Sequence, residues 1–225
     1  MTRFLDRLSE EDHDLVCSKI IRRTYRKNEP IISHLDTSCD VFFVLDGIAQ
    51  VTIFSEEGKE VAFRRLHVGD MMGEFAAIDS SPRSATVSAV TDVVAGNLSQ
   101  SQFRRMVEEI PSFTWALLSH MTTQSRDMTE RIYEFSTMLV RDRLIMELVR
   151  LGREEGTGTR SIEVPLAPTR EVLARKIATH REQVSREFTR LKRIGLISQR
   201  KQTIVLHDLD ALSALATHPG SQKAS

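Results

Sequence analysis

Residues 71–87, MMGEFAAIDSSPRSATV, place Gly73 and Glu74 ahead of a lone arginine, Arg83, which is followed by Ser84 and Ala85. Gly73 lets backbone approach a ligand with no side chain in the way. Glu74 opens a short helix-capable run, Phe75-Ala76-Ala77-Ile78. The amides at the start of such a helix carry the positive end of its dipole. Arg83 supplies a planar fork of donors that matches a phosphate. Glu74 would repel a phosphate, so its carboxylate is better suited to accept from a sugar hydroxyl. Phosphate and sugar in one compact pocket point to a nucleotide.

The elements around this stretch read as strands. Val41-Phe42-Phe43-Val44-Leu45 runs into Asp46-Gly47, and residues 48–54 alternate through Val51 and Ile53. Asp-Gly between two such runs predicts a hairpin. Further turns at Glu57-Gly58 and Gly69-Asp70, and strands over 85–90 and 93–98, fit a small antiparallel roll whose mouth takes a small ligand. Short helical segments over about 1–20 precede it.

From Ser99 the period turns helical, with a fresh start at Pro111. Positions 118, 121, 125, 128, 132, 135 and 139 are Leu, Met, Ser, Met, Ile, Phe and Leu, a coiled-coil seam interrupted by Ser125. Such a seam calls for a partner helix, so a homodimer is expected. A hinge over 135–140 leads into a second helix, then a loop at Gly152, then a short strand over 161–164.

The C-terminal part carries its own chemistry. Thr169 can cap a helix starting at Arg170. Ala174, Ala178 and Val184 put small or apolar residues where a helix-turn-helix needs them. Val184, Phe188 and Leu191 make the buried stripe of its second helix. Arg181, Glu182, Ser185, Arg186 and Thr189 remain outside, with side chains suited to base edges. Residues 195–205 read as the hairpin of a wing.

Charge agrees with this division. The chain has no formal net charge, yet residues 1–140 carry 15 Lys and Arg against 21 Asp and Glu, and residues 141–225 carry 16 against 10. Between Arg170 and Lys201 ten basic residues face three acidic ones. An acidic front and a basic back predict that the back meets double-stranded DNA. No apolar run approaches the ~20 residues of a membrane helix, so no membrane partner is expected. The N-terminus is polar and unlike a secretory signal. Cys17 and Cys39 lack CxxC spacing and read as reduced thiols in the cytoplasm. The scattered histidines do not pair with cysteine, so no metal is expected. No nucleophile–base pair is visible, so the chain is not read as an enzyme.

Gly-Glu-x-Ala (Gly73 to Ala76) and Pro-Arg-Ser-Ala-Thr-Val (Pro82 to Val87) resemble the phosphate-binding cassette of cyclic-nucleotide-binding domains. Arg-Glu-x-Val-x-Arg, residues 181–186, is similar to the recognition helix of the cyclic AMP receptor protein (Crp/Fnr) family of bacterial transcription regulators. The resemblance covers nearly the whole chain. It implies an α+β fold: a cyclic-nucleotide-binding, jelly-roll-like β-roll over 1–110, a dimerisation helix over 111–139, a winged helix-turn-helix over 140–218 and a disordered tail over 219–225. It implies cyclic AMP, or alternatively cyclic GMP, as allosteric effector. Gly73, Glu74, Phe75, Ala76, Arg83, Ser84 and Ala85 would hold its sugar and phosphate. Met128 and Thr129 align with a hydroxyl pair that meets the purine, and Met128 departs from that pattern. Arg170, Thr179, His180, Arg181, Glu182, Ser185, Arg186, Thr189 and Lys201 are the implied DNA contacts, at palindromic half-sites resembling TGTGA. RNA polymerase is an implied partner. A different effector, or a role as regulatory module of an enzyme, is the alternative.

Overall fold

A computed structural model describes residues 3–54, 60–158 and 161–217. The expected turn at Glu57-Gly58 and the tail over 219–225 lie outside the described residues. The chain forms two compact units that divide between Asp127 and Met128, inside the long helix.

The first unit opens with a 3-10 turn, Leu5–Arg7, and helix α1, Glu10–Lys19, whose N-cap Ser9 accepts from the Asp12 amide. Strands β1 (Ile21–Tyr25), β8 (Val93–Leu98), β3 (Val41–Asp46) and β6 (Met71–Met72) make one antiparallel sheet in that order. Strands β2 (Pro30–Ile32), β7 (Thr86–Ala89), β4 (Ala49–Phe54) and β5 (Glu60–Leu66) make the other. Strand β3 explains the layering. Its successive side chains point to opposite faces, and both faces are apolar. Phe42 and Val44 join the core between the sheets with Ile32, Ala49, Leu66 and Val87. Val41 and Phe43 face helices, packing with Phe103, Phe113 and Leu117.

This arrangement overturns the expected Asp46-Gly47 hairpin. Strand β3 pairs with β8 and β6, while β4 pairs with β5 and β7. The turn therefore carries the chain from one sheet to the other. Gly47 has φ 83°, and a Cβ there would stand 2.1 Å from the Asp92 carbonyl oxygen. The local Asp-Gly signal specifies a tight left-handed turn. Burial of both faces of β3 then decides which strands it joins.

Between β6 and β7 lies helix α2, Glu74–Asp79. Helix α3, Gln100–Glu109, starts with a capping box of Ser99 and Gln102. Helix α4, Pro111–Thr137, begins at a proline, favoured at the first helical position. It buries Phe113, Ala116, Leu117 and His120.

In the second unit, α4 ends at Thr137 and α5, Val140–Glu155, starts after an extended Leu139, where the hinge is expected. Strand β9 (Ile162–Val164), helices α6 (Arg170–Lys176) and α7 (Arg181–Arg193), strands β10 (Ile197–Arg200) and β11 (Thr203–Leu206), and α8 (Leu209–Thr217) complete it. The sheet order β10-β11-β9 is antiparallel. One core joins Leu144, Leu148, Leu173, Val184, Phe188 and Leu191.

Candidate functional site

The cassette is built at the start of α2. Gly73 is its N-cap with φ 87°, and a Cβ there would lie 2.6 Å from Arg83 Nη1 and 2.9 Å from the Asp40 carbonyl oxygen. Only glycine fits that crossing. Arg83 is 2% exposed. Its Nη1 donates to the Gly73 carbonyl at 2.8 Å and its Nη2 to the Asp40 carbonyl at 2.7 Å. Nε and Nη2 both lie 3.3 Å from Ser38 Oγ. Its backbone is fixed too, the amide donating to Asp36 and the carbonyl accepting from Leu35. The arginine thus braces the 35–40 loop against the start of α2. A phosphate arriving here would exchange with these partners rather than meet a free fork.

Glu74 is also buried, at 6% exposure. Its Oε1 accepts from Gln124 Nε2 at 2.9 Å and lies 3.5 Å from His120 Nε2. Burial alone would raise this carboxyl. The contacts with His120 and the Gln124 amide outweigh burial and leave it below its ordinary value. Glu74 and Arg83 therefore meet at one helix start, but each is engaged by a different part of the unit. Phe75 is exposed, Ala76 is buried, Ser84 is exposed and Ala85 half-buried. The C-terminal end of α2 is held from α3, where Gln100 Nε2 and Arg104 Nε each donate to the Ala77 carbonyl at 3.1 Å. Met128 and Thr129 are exposed on α4 and belong to the second unit.

Sequence reasoning missed Ser38, Asp40, His120 and Gln124. For the last two a signal exists: a polar pair at i, i+4 continues the buried row Phe113, Ala116, Leu117 of α4. Polar groups on a buried stripe need partners, and Glu74 is that partner.

In the second unit, Thr169 Oγ1 accepts from the Val172 amide and caps α6. Ala174 is buried, and Ala178 takes the left-handed turn between α6 and α7 with φ 51°. Val184, Phe188 and Leu191 are buried on one side of α7. Arg181, Glu182, Arg186 and Thr189 are exposed and Ser185 is half-buried. His180 is the exposed N-cap, and Thr179 bonds Gln183 within the first turn. Lys201 is exposed at the β10–β11 turn with φ 50°. Arg170 has structural duties: its guanidinium stacks 4.7 Å over the Phe188 ring and donates to Gln199 Oε1 at 3.0 Å. Arg190 is paired with Glu187 at 2.5 Å. Among the described residues no group of His, Cys, Asp and Glu could hold a metal ion, and no helix is long and apolar enough to cross a membrane.

Residues 22–109 match the cyclic nucleotide-binding domain model, and residues 142–215 match the Crp-like helix-turn-helix domain model. The cAMP-activated global transcriptional regulator CRP of Salmonella typhimurium is 26% identical over 184 residues, covering 81% of this chain and 88% of the relative. The cAMP-activated global transcriptional regulator Vfr of Pseudomonas aeruginosa is 25% identical over 189 residues, covering 82% and 88%. Two solved structures share the fold. A CooA mutant from Carboxydothermus hydrogenoformans has a TM-score of 0.79 at 22% identity, covering 96% of each chain. The c-di-GMP responsive regulator CLP of Xanthomonas campestris has a TM-score of 0.75 at 19% identity, covering 89% of this chain and all of that one. The two domain matches, the similarity to CRP and Vfr over most of the chain and a helix-turn-helix with an exposed polar face identify the chain as a transcription regulator of the Crp/Fnr family, with a cyclic-nucleotide-binding domain and a DNA-binding domain.

Proposed function

We propose that the chain is a homodimeric regulator whose cassette takes cyclic AMP, with cyclic GMP as a competitor, and which then binds a palindromic DNA site. The observation that carries the reading is the single helix start at which Arg83 and Glu74 converge, with Arg83 Nη1 2.8 Å from the carbonyl of Gly73. Arg83 and the nearby amides of Ser84 and Ala85 would take the phosphate, and Glu74 the 2'-hydroxyl. Ser84 is exposed and can serve either purine or phosphate, so it does not separate the two nucleotides. The purine contacts of Met128 and Thr129 rest on resemblance alone.

The dimer is supported by the seam of α4. Leu118, Met128, Ile132, Phe135 and Leu139 all stand exposed, and a row of large apolar side chains at coiled-coil spacing calls for a partner. On DNA, Arg181 and Arg186 would take guanines and Glu182 a cytosine amino group. His180, Thr179, Ser185, Thr189 and Lys201 would contact backbone or neighbouring bases. Arg170 would act by fixing α6 against α7 and the wing. The site of action is the cytoplasm, and RNA polymerase the downstream partner.

Calorimetric titration with cyclic AMP, cyclic GMP and linear AMP tests the reading. Saturable binding of a cyclic nucleotide and not of linear AMP is expected. A second reading, a regulator of the same family with another effector, is favoured by the engagement of both Arg83 and Glu74 within the protein. The structurally similar CLP of Xanthomonas campestris is a c-di-GMP responsive regulator. Failure of both cyclic mononucleotides to bind would select that reading.

A further inference from the structure

Helix α2 is tied at its two ends to different helices. At its C-terminal end Gln100 and Arg104 of α3 hold the Ala77 carbonyl, and both reach Ser80 Oγ, at 3.1 and 3.0 Å. At its N-terminal end the Glu74 carboxylate is held by Gln124 and His120 of α4. The amide nitrogen of Gln124 lies 2.9 Å from Glu74 Oε1 and 2.6 Å from His120 Nε2. The imidazole is itself seated edge-on against Phe4, with ring centres 6.0 Å apart. The Gln124 bridge is thus held from below by a packed ring.

We infer that Gln124 and His120 are positioning residues for the sugar: they aim the Glu74 carboxylate and make its state legible to helix α4. The inference rests on Glu74 being the sugar-binding group of the proposed function. Neither side chain touches the ligand in this scheme. A carboxylate has about four lone-pair sites, so one contact from Gln124 fixes its orientation and leaves others for a hydroxyl. Without Gln124 the buried Oε1 loses its donor, and the carboxylate turns towards whatever else can satisfy it. The sugar hydroxyl then loses a pre-aimed acceptor, while the phosphate site at Arg83 is untouched. Because α4 carries the seam as well as Gln124, loss of the bridge also weakens the link between sugar recognition and the helix.

The test compares wild type with Gln124→Leu, which keeps apolar bulk and removes the donor, and Gln124→Lys, which restores an N–H donor. Affinities for cyclic AMP and 2'-deoxy cyclic AMP are measured by calorimetry, and DNA affinity with and without cyclic AMP by fluorescence anisotropy. Wild type should prefer the ribonucleotide by about tenfold or more, the worth of one hydrogen bond to a charged group. In Gln124→Leu that preference should fall to within about threefold of one, with 2'-deoxy cyclic AMP affinity kept within a few-fold. The cyclic AMP effect on DNA affinity should shrink in parallel. Gln124→Lys should recover both. A purely structural role would lower the melting temperature and leave the ribose preference in place. Should Gln124→Leu fail to fold, His120→Gln, which unseats the bridge while keeping a polar group, is expected to halve the preference or more. If wild type discriminates ribose and the variants discriminate equally well, the positioning role is wrong while the proposed function stands. If wild type binds no cyclic nucleotide, both fall together.

Discussion

Glu147→Ala should cost the second unit about 3–5 kcal/mol, the usual consequence of removing one member of a buried ion pair. The Glu147 side chain is 1% exposed and stands at the centre of charges from three helices. Lys176 Nζ of α6 is 2.5 Å from its Oε1, in an ion pair that falls outside hydrogen-bond geometry. Arg150 Nη1 of α5 donates at 2.6 Å, and Arg131 Nη2 of α4 is 3.8 Å away. The other arm of Arg150 reaches Glu134 Oε1 at 2.5 Å. Three cations therefore share two carboxylates, and the variant leaves them with one, in a place with little water. Burial raises the Glu147 carboxyl, yet Lys176, Arg131 and Arg150 together hold it below its ordinary value. Its contribution is therefore complete above the ordinary glutamate value and is lost as pH falls through the lower folded value. Urea denaturation followed by far-ultraviolet circular dichroism gives the magnitude. Hydrogen exchange gives the place, with faster opening of α5, α6 and α7. DNA affinity should fall as well, because α6 supports α7. A loss under about 1 kcal/mol, or exchange unchanged in α6, would refute the view that this carboxylate holds the helices together.

Further outcomes follow from the same geometry. Glu74→Ala should weaken cyclic AMP binding and leave 2'-deoxy cyclic AMP binding nearly unchanged, a comparison read by calorimetry that isolates the sugar contact. Arg83→Leu should abolish nucleotide binding and also lower the melting temperature, since the guanidinium braces Gly73, Asp40 and Ser38; a variant as stable as wild type would contradict that bracing role. Ile132→Asp, at a position 67% exposed on the seam, should shift a dimer to monomer in sedimentation velocity, because a desolvated charge opposes the pairing.

Much of the second unit was legible because its signals are local. The Thr169 cap, the alanines at the helix crossing and turn, and the Val184, Phe188, Leu191 stripe all act within a few turns of chain. The cassette was legible for a similar reason, as a compact run containing a glycine, an acid and an arginine. Sheet membership was not. Strand β1 pairs with β8 some seventy residues away, as Ile21 with Asn97, and β3 leaves its sequence neighbour β4 for the opposite sheet. An Asp-Gly turn fixes the bend but carries no information on what lies across it. The protein partners of the site's charges were not legible either. Arg83 and Glu74 find protein partners at Asp40 and Gln124, far along the chain, and only the folded core brings those together. Arg170 illustrates the same limit, since only the fold shows its guanidinium over Phe188 and bonded to Gln199.

Control of DNA binding by nucleotide at the cassette can be read in one comparison. DNA affinity is measured for a palindromic probe with TGTGA-like half-sites, with and without saturating cyclic AMP, at a single fixed salt concentration because phosphate contacts dominate the absolute value. Tighter binding is expected with nucleotide, by roughly 5–150-fold, and an equal tightening of nucleotide by DNA. Equal DNA affinities in the two conditions would contradict such control, even with both ligands bound.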